Sequence, residues 1–347
     1  MRTIELIPEK RLQIPPTGGI FLLKHKKENG IIAKYETDLF PAERQAGNMA
    51  KKLQIKDAVN LAAPHTWAAS VMPCVLASAL SYRQQGFLRA DLTVCLFLIA
   101  ILMQSSVNAL NDYADFVKGT DTAENSPDPT DAVIVYGMRP ETARNLGIAY
   151  LAAAFVLGAY TVWRCGWVLL VIGLIGALVI AAYSGGKTPI SYLPLGELVS
   201  GFVMGGLIPL AGVRMQTGVL RFSVLAEALP VIIGIGMIMF SNNGCDIERD
   251  LQAGRRTLPC LLGREKTDRL YRMMLAVWLL SPVLIFAVQR RWMSMLLYVL
   301  SSLVFLSHFQ RQSRTPLGEE KRGMIMAGAT NLVILTGFAY SFAILVG

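Results

Sequence analysis

Hydrophobic and polar positions along this chain fall into long blocks rather than a fine alternation. From about Leu61 onward, apolar runs of about 17 to 23 residues recur, separated by polar or charged stretches. As a helix, a run of that length crosses a hydrocarbon layer of about 30 Å. Nine spans are expected, near 61–82, 92–110, 145–163, 166–183, 196–213, 222–242, 273–289, 292–309 and 324–346. Only Arg290 and Arg291 part the seventh from the eighth. Residues 1 to 60 are charged and mixed, without the apolar core and small-residue cleavage site of a secretory signal. Within them, Ile20 to Lys24 and Ile31 to Tyr35 flank Asn29-Gly30, a hairpin-like spacing. The expected fold class is therefore all-α, a polytopic membrane protein with a bundle of about nine transmembrane helices. A charged cytoplasmic extension, 1–50, is expected to precede a membrane domain, 51–347.

Composition supports the membrane reading. Charged residues make up 16% of the chain, against about 25% in an average soluble protein, and the mean hydropathy is +0.46. The formal charge of +9 does not indicate nucleic acid, because the basic residues form no stripe interleaved with aromatics. They follow topology instead. Of the 33 Lys and Arg, 26 fall in the N-terminal segment and in the loops after spans two, four, six and eight, and 7 on the opposite side. The positive-inside bias then puts the N-terminus in the cytoplasm and the C-terminus outside, in a multi-pass protein of the cell membrane. Both long connections, about 111–144 and 243–272, become cytoplasmic. The five cysteines show no CxxC pair, and His25, His65 and His308 no ligand spacing, so neither a disulfide framework nor a zinc site is indicated.

Each long connection opens on an acidic cluster. Asn108, Asp112 and Asp115 are spaced i, i+4, i+7 at the end of the second span, with Asn111 and Asp121 in the same segment. Asn242, Asp246 and Asp250 are spaced i, i+4, i+8 at the end of the sixth. On a continuing helix these offsets share a face. Capping and turn preferences of Asp and Asn explain either cluster alone, but not two of matching spacing on one membrane side. Neither loop supplies the alternating ligands of a calcium-binding EF-hand. Acids gathered at the edge of hydrocarbon call for a bound cation. Magnesium bridging protein carboxylates and substrate phosphates suits two small facing clusters. Lys118 after the first cluster, and Arg255 and Arg256 after the second, are placed to neutralise further phosphate charge.

These residues resemble the UbiA superfamily of intramembrane aromatic prenyltransferases, over roughly residues 55–347. Asn111-Asp112-Tyr-Ala-Asp115 with Asp121 is similar to the family's first Asp-rich motif. Asp246-Ile-Glu-Arg-Asp250, followed by Ala253-Gly-Arg-Arg-Thr-Leu-Pro259, is similar to the second. The Lys-Gly-Thr-Asp121 ending, Tyr183-Ser-Gly-Gly-Lys187 and Pro194-Leu-Gly-Glu197 most resemble the menaquinone branch, the 1,4-dihydroxy-2-naphthoate polyprenyltransferases. The chain departs from that branch at Ala63-Pro64-His65-Thr66, where members often have Arg-Pro-Lys-Thr. It departs again at Asp128 to Tyr136, where Arg139 is the nearest replacement for an expected arginine.

The resemblance implies transfer of a polyprenyl group from polyprenyl diphosphate to an aromatic acceptor, with Mg2+ held by Asp112, Asp115, Asp246 and Asp250. Lys118 and Arg255 or Arg256 would stabilise the leaving diphosphate, Asn108 and Asn242 would orient ligands, and Tyr113 or Tyr183 would shield an allylic cation from water. Lys187 is either a contact to phosphate or acceptor carboxylate, or a loop charge that obeys the topology bias. Glu197 is either catalytic or an acid favoured at a helix N-terminus. A different acceptor within the superfamily predicts the same Asp motifs. A transporter predicts acids near the bilayer midplane, which the chain lacks.

Overall fold

In a computed structural model the described residues are 55–119, 133–135 and 137–347. The expected extension and its hairpin, Asp121, and most of the 128–136 segment lie outside them. The nine apolar blocks become nine long helices: α1 Ala68–Gln85, α2 Ala90–Val117, α3 Pro140–Cys165, α4 Val168–Ser184, α5 Gly196–Thr217, α6 Leu229–Cys245, α7 Arg264–Val288, α8 Trp292–Arg314 and α9 Arg322–Val346. By length and composition α2, α3, α5, α7, α8 and the segment containing α9 suffice to cross a membrane, while α4 and α6 are shorter apolar helices. The protein is a multi-pass helical membrane protein. At 28 residues and 1.5 Å per residue, α2 is about 42 Å long, longer than the hydrocarbon layer, so its last turns carry the first acidic cluster beyond it.

Several boundaries differ from the blocks, most of all at α7, which begins nine residues before its block, and at α2, which ends seven residues after its own. The first block begins at the end of a short helix, Ile55–Leu61, and passes through a 3-10 turn, Pro64–Thr66, before α1, because a residue preceding proline is driven out of the helical region and Ala63 adopts φ 48°. The sixth block is divided between a short helix, Ser223–Glu227, and α6, whose first turn carries Pro230. Gln289 to Arg291 suffice to reverse the chain between α7 and α8, with Arg290 at φ 58°.

The antiparallel succession brings the C-terminal ends of α2, α4 and α6 to the same side as the N-terminal ends of α5, α7 and α9. Cross-bonds mark both ends. At the acidic end, Lys118 reaches the Ser184 carbonyl and Arg264 the Gly244 carbonyl. At the other, Arg83 and Arg291 donate to the Ile344 carbonyl and Arg164 pairs with Asp91. Trp163, Trp167 and Trp292 are exposed at this second end, as an interfacial aromatic belt requires.

The half built from α6, α7, α8 and α9 is solid. Trp278 meets Phe309 edge to face at 5.4 Å, and Tyr340 packs against Phe286 and Tyr298. In the opposite half, α2, α3, α4 and α5 curve around a cavity. Helices α5 and α6 cross on nearly bare backbone: a Cβ added at Gly205 would lie 2.6 Å from Ile232 Cα, and one at Gly201 2.6 Å from the Ile232 carbonyl oxygen. A π-helical turn, Val203–Leu207, interrupts α5 at this crossing.

Candidate active site

The cavity has a volume of about 1350 Å³ and runs through the thickness of the bundle. Asn108, Asn111, Asp112, Asn242 and Arg322 border it at the acidic end, Tyr183 and Met239 stand below them, and Val162, Leu169 and Met215 close the far end. Its wall is otherwise mainly aliphatic. A long apolar molecule with a charged head matches this polarity.

Helix α2 continues to Val117, so Asn108, Asp112 and Asp115 do share its inner face. Asp112 and Asp115 are buried. Asn111 donates to Asp115 Oδ2 at 2.9 Å and accepts from the Ser184 hydroxyl at 2.9 Å, which ties the first cluster to the Tyr183-Ser-Gly-Gly-Lys187 segment. Asn108 donates to the Ala62 carbonyl and to Thr66 Oγ1, both at 2.9 Å, and so also anchors the chain entering α1.

The second cluster is kinked. Helix α6 ends at Cys245, Asp246 leaves helical geometry at φ −100°, ψ 18°, and a new helix runs Ile247–Gln252. The backbone N–H of Asp250 still reaches the Asp246 carbonyl at 2.8 Å, which keeps both side chains on the inner side. Asp246 Oδ2 accepts from Arg249 at 3.0 Å and from Arg322 at 3.1 Å, while Arg322 also donates to Asn242 Oδ1 at 2.7 Å.

Arg255 joins the two clusters. Its guanidinium donates to Asp115 Oδ1 at 2.7 Å and to Asp250 Oδ1 at 3.4 Å, and it stacks 5.0 Å from the centre of the Tyr192 ring. Lys118 sits at 5.0 Å from the same ring. Burial pushes the Asp250 carboxyl up to about 6, against the pull of Arg255 beside it. Burial alone would lower Arg255, but the carboxylates of Asp115 and Asp250 outweigh that and hold its guanidinium above its ordinary value.

Not every expected residue converges. Arg256 is exposed, and its backbone N–H bonds the Tyr192 carbonyl at 2.9 Å. Lys187 is exposed as well. Tyr183 lies in the cavity wall, with its hydroxyl 3.3 Å from Met239 Sδ. Three contributors escaped the sequence reading. Arg322 counted there only as a topology charge at the start of the last span, Arg249 lay inside the second motif unremarked, and Tyr192 lay in a loop with no spacing signal.

The donors at this end are all oxygens: four aspartates and the amide oxygens of Asn111 and Asn242. Asp246 Oδ1 is buried without a hydrogen-bond partner among the described residues. Among those residues no three His, Cys, Asp or Glu side chains stand close enough together to hold a metal ion by themselves. The set fits a magnesium ion that completes its coordination with water and substrate phosphate.

A helical membrane bundle whose apolar cavity ends in paired aspartates and guanidiniums can accommodate a molecule with an apolar body and an anionic head. Residues 70–341 match the UbiA prenyltransferase family, and the chain belongs to that family of membrane-bound prenyltransferases. It is 36% identical over 207 residues to the 1,4-dihydroxy-2-naphthoate octaprenyltransferase of Bacillus subtilis (strain 168), a match that covers 59% of this chain and 65%, just under two thirds, of that relative. It is 30% identical over 286 residues to UbiA prenyltransferase domain-containing protein 1 of Gallus gallus, covering 81% of this chain and 82% of the relative. Its fold is similar to that of a UbiA homolog from Archaeoglobus fulgidus bound to GPP and Mg2+, with a TM-score of 0.58 at 15% identity over 83% of this chain and 99% of the other.

Proposed function

We propose that the protein transfers a polyprenyl group from polyprenyl diphosphate to an aromatic acceptor, 1,4-dihydroxy-2-naphthoate, in menaquinone biosynthesis. The observation that carries this reading is the bridge from Asp115 through Arg255 to Asp250, which draws both acidic motifs to one end of an apolar cavity. The prenyl tail lies in the cavity and its diphosphate among Lys118, Arg255 and Arg322. Asp112, Asp115, Asp246 and Asp250 are the residues that would hold magnesium, which would supply charge stabilisation to the departing diphosphate. The C–O bond breaks with its electron pair leaving on diphosphate, Tyr183 screens the allylic cation from water, the ring carbon that bears the acceptor's carboxylate forms the new C–C bond, and its bond to the carboxylate then breaks, its electron pair restoring the aromatic ring as CO2 departs. The similarity to the Bacillus relative supports the choice of acceptor. The charge asymmetry of the loops supports a cell-membrane orientation with the acidic end in the cytoplasm.

The test is prenyl transfer by detergent-purified protein given Mg2+, 1,4-dihydroxy-2-naphthoate and a long prenyl diphosphate, with the product identified by mass. A prenylated, decarboxylated naphthoquinol is expected, lost on chelation of Mg2+ and lost in Asp112→Ala and Asp246→Ala. Diphosphate release without that product would overturn the acceptor assignment, and full activity in either variant would overturn the metal assignment.

A further inference from the structure

Glu197 takes no part in the chemistry above, although it is buried beside it. It stands in the first turn of α5, 6% exposed. Its Oε1 accepts from Asn243 Nδ2 at 2.9 Å, and its Oε2 has no hydrogen-bond partner among the described residues. Asn243 adjoins Asn242, which Arg322 holds, and precedes Asp246 by three positions in the turn that ends α6. Glu197, Gly201 and Gly205 follow one another at i, i+4 and i+8, so they share one face of α5. On that face the two glycines touch α6 through backbone alone. Backbone contact at the glycines fixes how closely α5 and α6 approach, but it does not orient the polar side chains at the end of α6. The Glu197–Asn243 bond is the directional contact that ties the end of α6 to α5, beside those that Arg264 of α7 and Arg322 of α9 make to Gly244 and Asn242. An apolar pair would fill the space without burying a half-satisfied carboxyl.

We infer that Glu197 is a positioning residue that, through Asn243, fixes the last turn of α6 so that Asn242 and Asp246 face the magnesium-bound diphosphate. This rests on the proposed reading of the second cluster as part of the diphosphate end. The test uses full-length protein in detergent and inorganic magnesium diphosphate as a calorimetric probe, which needs no acceptor. Glu197→Leu is expected to weaken the probe about tenfold, the order of one lost hydrogen bond to a charged group. Glu197→Gln, which keeps an acceptor for Asn243, should stay within about twofold. Asn243→Ala should match Glu197→Leu, and the double variant should be no worse than either single one, since both remove the same contact. In turnover the KM for prenyl diphosphate should rise while that for the acceptor holds.

Wild-type probe affinity in Glu197→Leu, additive losses in the double variant, or a fall in unfolding temperature with no change in affinity would each overturn the inference. If Glu197→Leu does not fold, Asn243→Ala breaks the bond from the other side and carries the test. A wild-type protein that binds the probe but transfers no prenyl group would refute the proposed function while the titration still reads the latch. One that does not bind the probe overturns the latch.

Discussion

Replacing Arg255 by leucine tests whether the junction of the two acidic motifs is held by its guanidinium. The side chains of Arg255, Asp115 and Asp250 are 12%, 9% and 3% exposed, so the three charges have little water to screen them. Removing one partner of a buried ion pair costs about 3 to 5 kcal/mol, because the remaining charge stays desolvated. Only the bond to Asp115, at 2.7 Å, is short, while that to Asp250 is 3.4 Å. The lower figure, about 3 kcal/mol, is therefore expected. At about 1.4 °C per kcal/mol for a chain of 347 residues, thermal unfolding in detergent and chelator should begin about 4 °C below wild type. Millimolar Mg2+ should restore most of that loss by neutralising the same carboxylates, whereas wild type, already neutralised by its arginine, should gain less. Arg255→Lys should fall between, since a single ammonium cannot span both acids. An unchanged unfolding temperature in Arg255→Leu, or a loss that Mg2+ does not reduce, would refute the reasoning.

Two glycine substitutions should separate packing from ligand space. In Gly205→Ala the new Cβ meets backbone that cannot swing aside, so the α5–α6 crossing must open, at about 1 to 3 kcal/mol, read as a lower unfolding temperature. Gly158→Ala, whose Cβ would meet nothing within 4 Å, should be neutral or raise that temperature slightly by gaining helix propensity. Gly158→Phe should leave folding intact and fill part of the cavity it borders. Competition between long and short prenyl diphosphates should then shift toward the short donor, and an unchanged preference would remove the cavity from the account of the tail.

The architecture was legible because lipid demands long uninterrupted apolar helices, and the blocks in the sequence met their observed ends to within a few residues at most boundaries. The first acidic cluster was legible for the same reason: its offsets assume a continuing helix, and α2 does continue to Val117. The second was read on a continuing helix, although Asn242-Asn243-Gly244 and Asp246 are turn-favouring residues, and the break between α6 and the helix Ile247–Gln252 falls at Asp246. Partners distant in sequence gave no signal. Arg322 lies 76 positions from Asp246 and Glu197 lies 46 from Asn243, and only the packing of α9 and α5 against α6 brings them together. Arg256 and Lys187 illustrate the reverse case, basic residues near a motif in sequence whose side chains are exposed.

The division of the bundle into a solid half and a hollow half separates two kinds of inheritance. Trp278, Phe309 and Tyr340 are packed ring against ring in the core, so a change of volume there disturbs the fold before it alters what the protein accepts. Gly158 and Gly173 border empty space with nothing against them, and a larger residue at either changes the accommodation offered to a tail while leaving the folded bundle intact. On the proposed reading, a lineage with this layout can retune the length of the tail it accepts one substitution at a time, leaving the acidic end untouched.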